Sequence, residues 1–202
     1  RIKQLATRKK RNDHRRAYMH EGLRAAVTDP LTGLYNRRFA SLKLAQTVAD
    51  CEATGQSCAV MVIDVDHFKR VNDILGHAAG DAALVELSAL LQHNLRPEDL
   101  LARIGGEKFL VVMPGTHHSR AQEAANRLRE LVDAHPFRLA TNAPLQHVTI
   151  SIGVAVQEPR PHMRRAETAD LAEALIARAD TALYRSKRHG RNQVTMSART
   201  AA

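Results

Sequence analysis

Residues 59–63, Ala-Val-Met-Val-Ile, form an apolar, β-branched run without a polar break, the pattern of a buried strand. That strand delivers Asp64 and Asp66 to its C-terminal end. Upstream, a helix starts at Asn36 and runs to about Gly55. Downstream, Leu84, Leu87, Leu90, Leu91 and Leu95 recur at helical spacing and predict an amphipathic helix. Residues 100–104 and 109–113 read as two strands joined through Gly105-Gly106, a dipeptide suited to the positive φ of a tight hairpin. A helix over 119–134 turns Leu128, Leu131 and Val132 inward. Residues 147–156 alternate apolar with small or polar side chains, as a half-buried strand does. A last helix over 169–188 and an edge strand over 192–196 complete the order. One sheet with at least one antiparallel pair, covered by helices, satisfies this α+β sequence of elements.

The first residues differ in kind. Between 2 and 27 there is no Pro and only Gly22, and Ile2, Leu5, Met19, Leu23 and Ala26 fit a seven-residue spacing. Lys9, Asn12 and Arg16 interrupt that seam, so the pattern predicts a helical stalk rather than a self-sufficient coiled coil. It ends at Asp29-Pro30, where proline disfavours helix in the preceding residue. The chain divides into a stalk over 1–27, a domain over 28–197 and a tail over 198–202.

Charge sharpens the division. The chain carries 30 Lys plus Arg against 21 Asp plus Glu, a formal +9. Nine basic residues and two acids lie within residues 1–24, so +7 of that charge belongs to the stalk. Salt-sensitive nucleic-acid binding, if any, is a property of the stalk, and the domain points to no specific nucleic-acid partner. Cys51 and Cys58 are too few for a disulfide framework and read as ordinary buried or half-buried thiols. No apolar run approaches a membrane span or a signal peptide, which places the expected location in the cytoplasm.

Asp64 and Asp66, followed by Lys69, Asn72 and Asp73, put hard oxygen ligands and a cation into one short stretch, and Glu107 sits on the hairpin. If the hairpin neighbours the Asp64 strand, Asp64 and Glu107 converge. Carboxylates without His or Cys favour Mg²⁺ (or Mn²⁺). Any one of these acids alone would be a solvated loop residue or a helix cap. His14, His20, His117 and His118 lack ligand partners and read as surface residues. Residues 76–81 lack the Gly-Lys-Ser/Thr ending of a Walker loop.

Six segments in unbroken order, namely DPLTGLYNRR from Asp29, DVDHFKRVND from Asp64, GHAAGD from Gly76, RIGGEKF from Arg103, TISIG from Thr149 and ADTALY from Ala179, resemble the GGDEF domain of diguanylate cyclases. Lys187 and Gly190-Arg191-Asn192 follow in the same pattern, and the likeness extends to the C-terminal domain of PleD-type response regulators. The resemblance implies a palm-like α+β fold with a mostly antiparallel sheet. It implies condensation of two GTP into cyclic di-GMP, by two domains facing each other as a homodimer. It also implies an upstream receiver or sensor domain that these residues do not include. By the same resemblance Asp64, Glu107 and the Val65 carbonyl would hold the metal. Asn72 and Asp81 would read the guanine edge, and Lys69, Lys187 and Arg191, with the Gly105-Gly106 backbone, would meet the phosphates. Asn offers a donor and an acceptor, Asp accepts from two guanine N–H groups, and Lys and Arg neutralise phosphate.

The signature departs from the family at Lys108, where the family carries an acid. A cation there opposes metal binding, touches the triphosphate, or turns into water and leaves a working enzyme. Arg96-Pro97-Glu98-Asp99 matches the family's RxxD product-inhibition site, with Arg127 as its supporting arginine. The resemblance therefore leaves two functions open: a cyclase impaired or not by Lys108, and a catalytically degenerate receptor for cyclic di-GMP or GTP.

Overall fold

The computed structural model describes residues 26–139, 144–159 and 167–198, with side chains from 170 in the last segment. Residues 1–25 of the expected stalk, with His14 and His20, and the tail beyond 198 lie outside the described residues.

The elements run β1 (Tyr35–Asn36), α1 (Arg37–Thr54), β2 (Cys58–Val65), α2 (Phe68–Leu75), α3 (His77–His93), β3 (Leu100–Arg103), β4 (Lys108–Pro114), α4 (His118–Ala134), β5 (Pro136–Phe137), β6 (Gln146–His147), β7 (Ile150–Gln157), α5 (Glu167–Arg188) and β8 (Val194–Met196). Six strands form one sheet in the order β1-β3-β4-β2-β7-β8, and β5 and β6 form a separate pair. The four inner strands are antiparallel, while β1 and β8 join the edges in parallel. Helices on both faces make this the expected α+β fold, with a mixed sheet.

Strand β2 sits third from one edge, and its two faces belong to two different cores. Ala59, Met61, Ile63 and Val65 pack with Leu84, Leu87 and Leu91 of α3 and Leu128 and Val132 of α4. Cys58, Val60 and Val62 pack with Leu44 and Val48 of α1 and Leu175, Ala179 and Leu183 of α5. A strand covered on both sides has no polar alternation, which is why its sequence is continuously apolar. Cys51 and Cys58 are buried free thiols. Among the described residues no helix is long and apolar enough to cross a membrane.

Two expectations are corrected. Strand β7 begins at Ile150, not 147, and is buried along its whole length rather than on one face. Its Gly153 and Ala155 face α5, which lies close against them. A Cβ on Gly153 would overlap the Ala179 carbonyl and the Leu183 nitrogen and stand 2.7 Å from Leu183 Cα. His147 belongs instead to β6, opposite Pro136. Second, neither Gly105 nor Gly106 has positive φ. The hairpin is a wider turn, closed by the Ile104 N–H donating to the Lys108 carbonyl at 2.9 Å. The stretch holding Lys69, Asn72 and Asp73, to which the sequence pattern assigns no element, is a two-turn helix, α2, whose Phe68 and Val71 pack on the core.

Helix α1 is capped as its sequence suggests. The Asn36 side chain accepts from Phe39 N at 3.0 Å and Gly55 closes the C-terminus in the left-handed conformation. The same Asn36 amide donates to the Ala26 carbonyl at 3.0 Å, fastening the chain at 26–28 to the domain.

Candidate active site

The end of β2 is where the sheet delivers its carboxylates. Asp64 stands opposite Lys108 in the β2/β4 register, and Val65 N donates to the Glu107 carbonyl at 3.3 Å. Antiparallel pairing thus brings residues 64 and 107 together across 43 positions of sequence. Asp64 is buried, and the Lys187 ammonium of α5 approaches its Oδ1 to 2.7 Å. Lys187 is thus the counterion of this oxygen. Burial pushes the Asp64 carboxyl above the ordinary carboxylate range. Lys187 opposes that rise, Glu107 adds to it and Lys108 pulls it back.

Lys108 is accounted for. Its ammonium is 2.8 Å from Asp180 Oδ1, with both side chains about half exposed. Asp180 and Lys187 lie seven residues apart on α5, two turns along one face. The two helix charges meet the two strand charges in alternation: Lys187 on Asp64, Asp180 on Lys108. The sequence placed Asp180 inside a family motif but assigned it no role. Only the packing of α5 over the hairpin reveals its partner.

Asp66 does not face outward as a ligand. It is buried and saturated, accepting from Thr149 Oγ1 at 2.8 Å, Ser151 Oγ at 2.7 Å and Asn192 N at 2.9 Å. The last bond anchors the loop in which Arg191 and Asn192 adopt positive φ, 62° and 44°. Asp66 therefore holds Arg191 near the end of β2. Arg191 and Lys69 are exposed, the latter in the first turn of α2.

Asn72 and Asp81 are brought together by the packing of α2 on α3. The Asn72 amide lies against Gly80, the residue before Asp81, where a Cβ would overlap its Oδ1. Gly105 and Gly106 are exposed, and a Cβ on either would meet nothing closer than Lys108 Cβ at 3.5 Å. Their backbone edge is therefore open to close approach. Arg103 braces the same turn: its guanidinium donates to the Gly106 carbonyl at 2.7 Å and to Asp29 Oδ1 at 3.0 Å. Burial raises the Asp29 carboxyl, but hydrogen bonds from Thr32 and the Arg103 contact outweigh it and hold it below the ordinary value.

Among the described residues no group of three or more His, Cys, Asp or Glu side chains forms a metal cluster. What the site offers is the buried Asp64 carboxylate at the end of β2, its Oδ1 met by the Lys187 ammonium, and Glu107 in the neighbouring turn before β4. That all-oxygen set fits Mg²⁺ or Mn²⁺, which fill remaining positions with water and phosphate oxygens.

On another side of the domain, a cleft of about 760 Å³ is lined by His93, Asn94, Arg96, His117, Arg120 and Arg127. Arg127 donates to the Asn94 carbonyl at 3.1 Å, and Arg96 N donates to Asp99 Oδ2 at 3.0 Å. Asp99 Oδ1 is buried without a hydrogen bond. Burial pushes this carboxyl up, against the pull of Arg96. A second cleft of about 630 Å³, lined by Thr28, Tyr35, Arg96 and Asp99, lies on the other side of Arg96. His117 and His118 are near the start of α4, and His117 lines the first cleft.

A family model described as diguanylate cyclase, GGDEF domain, matches residues 26–193. The chain is 40% identical over 194 residues to the response regulator PleD of Caulobacter vibrioides, a match covering 96% of this chain and 41% of PleD. It thus spans less than half the length of that relative. Its fold is similar to the coiled coil and GGDEF domain of DgcB from Caulobacter crescentus, solved in complex with c-di-GMP. The TM-score is 0.82 at 31% identity, over 96% of this chain and 97% of that one. Diguanylate cyclase SiaD of Pseudomonas aeruginosa, solved with its activator SiaC, matches with a TM-score of 0.74 at 33% identity, over 98% and 72% of the two chains. With the motifs, the sheet order and these likenesses in agreement, the chain belongs to the GGDEF diguanylate cyclase family.

Proposed function

We propose that this domain condenses two GTP molecules into cyclic di-GMP with release of two pyrophosphates. The observation that carries the reading is the convergence of Asp64 and Glu107 at one sheet end, with Lys187 against Asp64 and the Arg191–Asn192 loop anchored on Asp66. Asp64, Glu107 and the Val65 carbonyl would hold Mg²⁺ or Mn²⁺. That ion, when bound, would supply charge stabilisation to the phosphate oxygens and acidify the attacking hydroxyl. Lys69, Lys187 and Arg191 neutralise the triphosphate, and Asn72 and Asp81 orient the guanine. The 3′-hydroxyl of one GTP attacks the α-phosphorus of the other in line with the departing pyrophosphate. One domain presents one such site, so two copies must face each other. Chromatographic detection of cyclic di-GMP from GTP tests the proposal; a protein that binds GTP yet forms no product at any concentration contradicts it.

A second reading rests on Asp99 Oδ1, a buried acceptor without a donor, whose carboxyl feels the charges of Arg96 and Arg127. Guanine N–H groups complement such an oxygen, and the arginines complement phosphate. The domain then binds cyclic di-GMP at Arg96, Asp99 and Arg127, as a product-inhibited enzyme or as a receptor. Calorimetry with cyclic di-GMP tests it, since equal binding by wild type and Arg96→Ala removes the site.

A further inference from the structure

Gly80 is the fourth residue of α3 and is buried in a helical conformation, without the positive φ that demands glycine. Inside a helix glycine is the least favourable residue after proline, because it loses most backbone freedom and contributes no side-chain packing. Backbone geometry therefore gives no reason for it. The reason lies in the neighbouring helix. A Cβ at position 80 would overlap Asn72 Oδ1, stand 3.0 Å from Asn72 Cγ and 3.2 Å from Phe68 Cζ. The hydrogen atom of Gly80 leaves the volume in which the Asn72 amide lies. That amide makes no hydrogen bond among the described residues, so contact alone sets its direction.

We propose that Gly80 is the positioning residue of the base-reading pair, holding the Asn72 amide beside Asp81 and so setting selectivity for guanine over adenine. The inference rests on the reading that Asn72 and Asp81 receive the guanine of GTP. Its physical content is a conflict of signs. Alanine at 80 improves the helix, and the atom it strikes is the end of a short flexible side chain. The clash is relieved by turning Asn72 away rather than by separating α2 from α3. Phe68 yields by a few tenths of an ångström. The fold keeps its stability while the amide loses its direction.

The experiment compares wild type, Gly80→Ala, Asn72→Ala and the double variant for binding of GTP and ATP by calorimetry, with thermal melts of each. Gly80→Ala is expected to weaken GTP binding about 10-fold to 100-fold, the worth of a lost ligand hydrogen bond, and to narrow the preference over ATP. Its melting temperature should equal or exceed that of wild type. The double variant should bind GTP no worse than Asn72→Ala alone, since both changes remove one interaction. Unchanged GTP binding and preference in Gly80→Ala overturn the proposal. So does equal weakening of GTP and ATP with a lowered melting temperature, which assigns Gly80 to packing alone. A wild type that prefers neither base overturns the guanine reading itself, and that failure is read in the wild-type arm before any variant is compared.

Discussion

The Lys187 ammonium stands 2.7 Å from Asp64 Oδ1, so the buried acid at the end of β2 has a built-in counterion supplied by α5. Removing one partner of a buried pair leaves an uncompensated charge. Lys187→Met is expected to lower stability in chelator by about 1–3 kcal/mol, discounted because Lys187 is one-third exposed. Mg²⁺ or Mn²⁺ should restore part of the loss by taking over the carboxylate. The pH dependence has a definite sign. Asp64 has a raised folded pKa, so its contribution to stability is complete below the ordinary value near 3.8 and is lost as pH rises through the folded value. Asp64→Asn should therefore stabilise the metal-free domain at neutral pH and flatten its pH profile in that window. Urea unfolding across pH 4 to 8, about the range that brackets a raised carboxyl, measures both.

Lys108 has a defined place in the structure, paired with Asp180 across the signature turn. An acid at 108 would stand in register with Asp64 and beside Asp180. Lys108→Glu is thus expected to destabilise the metal-free domain by about 1 kcal/mol, the scale of an exposed ion pair lost and reversed. It should strengthen Mn²⁺ binding at the same time. Lys108→Glu combined with Asp180→Asn should keep the metal gain and recover the stability. Metal-dependent thermal shifts report both quantities, and an unchanged Mn²⁺ affinity in Lys108→Glu removes Lys108 from the electrostatics of Asp64.

Gly153 tests the packing that delivers Lys187. Its Cβ would overlap backbone atoms of α5, which cannot rotate away as a side chain does. Gly153→Ala should cost about 1–3 kcal/mol or more as overpacking. It should also weaken GTP binding, because α5 carries Lys187 and leads to Arg191. A stability loss with intact GTP binding would show that α5 placement is not what orients these cations.

Asp29 and Arg103 join the chain after the stalk to the signature turn. Asp29 has a lowered folded pKa, so its stabilisation is present above the ordinary value and disappears as pH falls through the folded one. Arg103→Ala should lose about 1–2 kcal/mol at neutral pH, less in acid, as the Gly106 carbonyl and Asp29 lose their donor. In acid and urea titrations the gap between the two proteins should narrow at low pH without closing, because the bonds to the Gly106 carbonyl do not titrate.

Much of this site was legible in the sequence because its strands are local and strongly apolar. The run 59–63 announces β2, and the charged residues at its end announce chemistry. What escaped is what only three-dimensional packing decides. Residues 147–156 read as half-buried because Ser151, Gly153 and Ala155 look polar or small, whereas Gly153 and Ala155 leave room for α5 and Ser151 serves Asp66. Gly105-Gly106 read as a positive-φ turn, whereas the Ile104–Lys108 backbone bond closes a wider one that Arg103 braces. Asp66 resembles a ligand in sequence but is consumed by Thr149, Ser151 and Asn192. The partners Asp180 and Lys108 are 72 residues apart, and no periodicity connects them.

The most direct test is turnover. Wild type and Asp64→Asn, each concentrated enough to favour self-association, are incubated with GTP and Mg²⁺ or Mn²⁺, and the nucleotides are separated. The account predicts cyclic di-GMP and pyrophosphate from wild type and neither from Asp64→Asn, with Lys108→Glu faster than wild type. Equal product from wild type and Asp64→Asn, or none from wild type and Lys108→Glu alike, would contradict it.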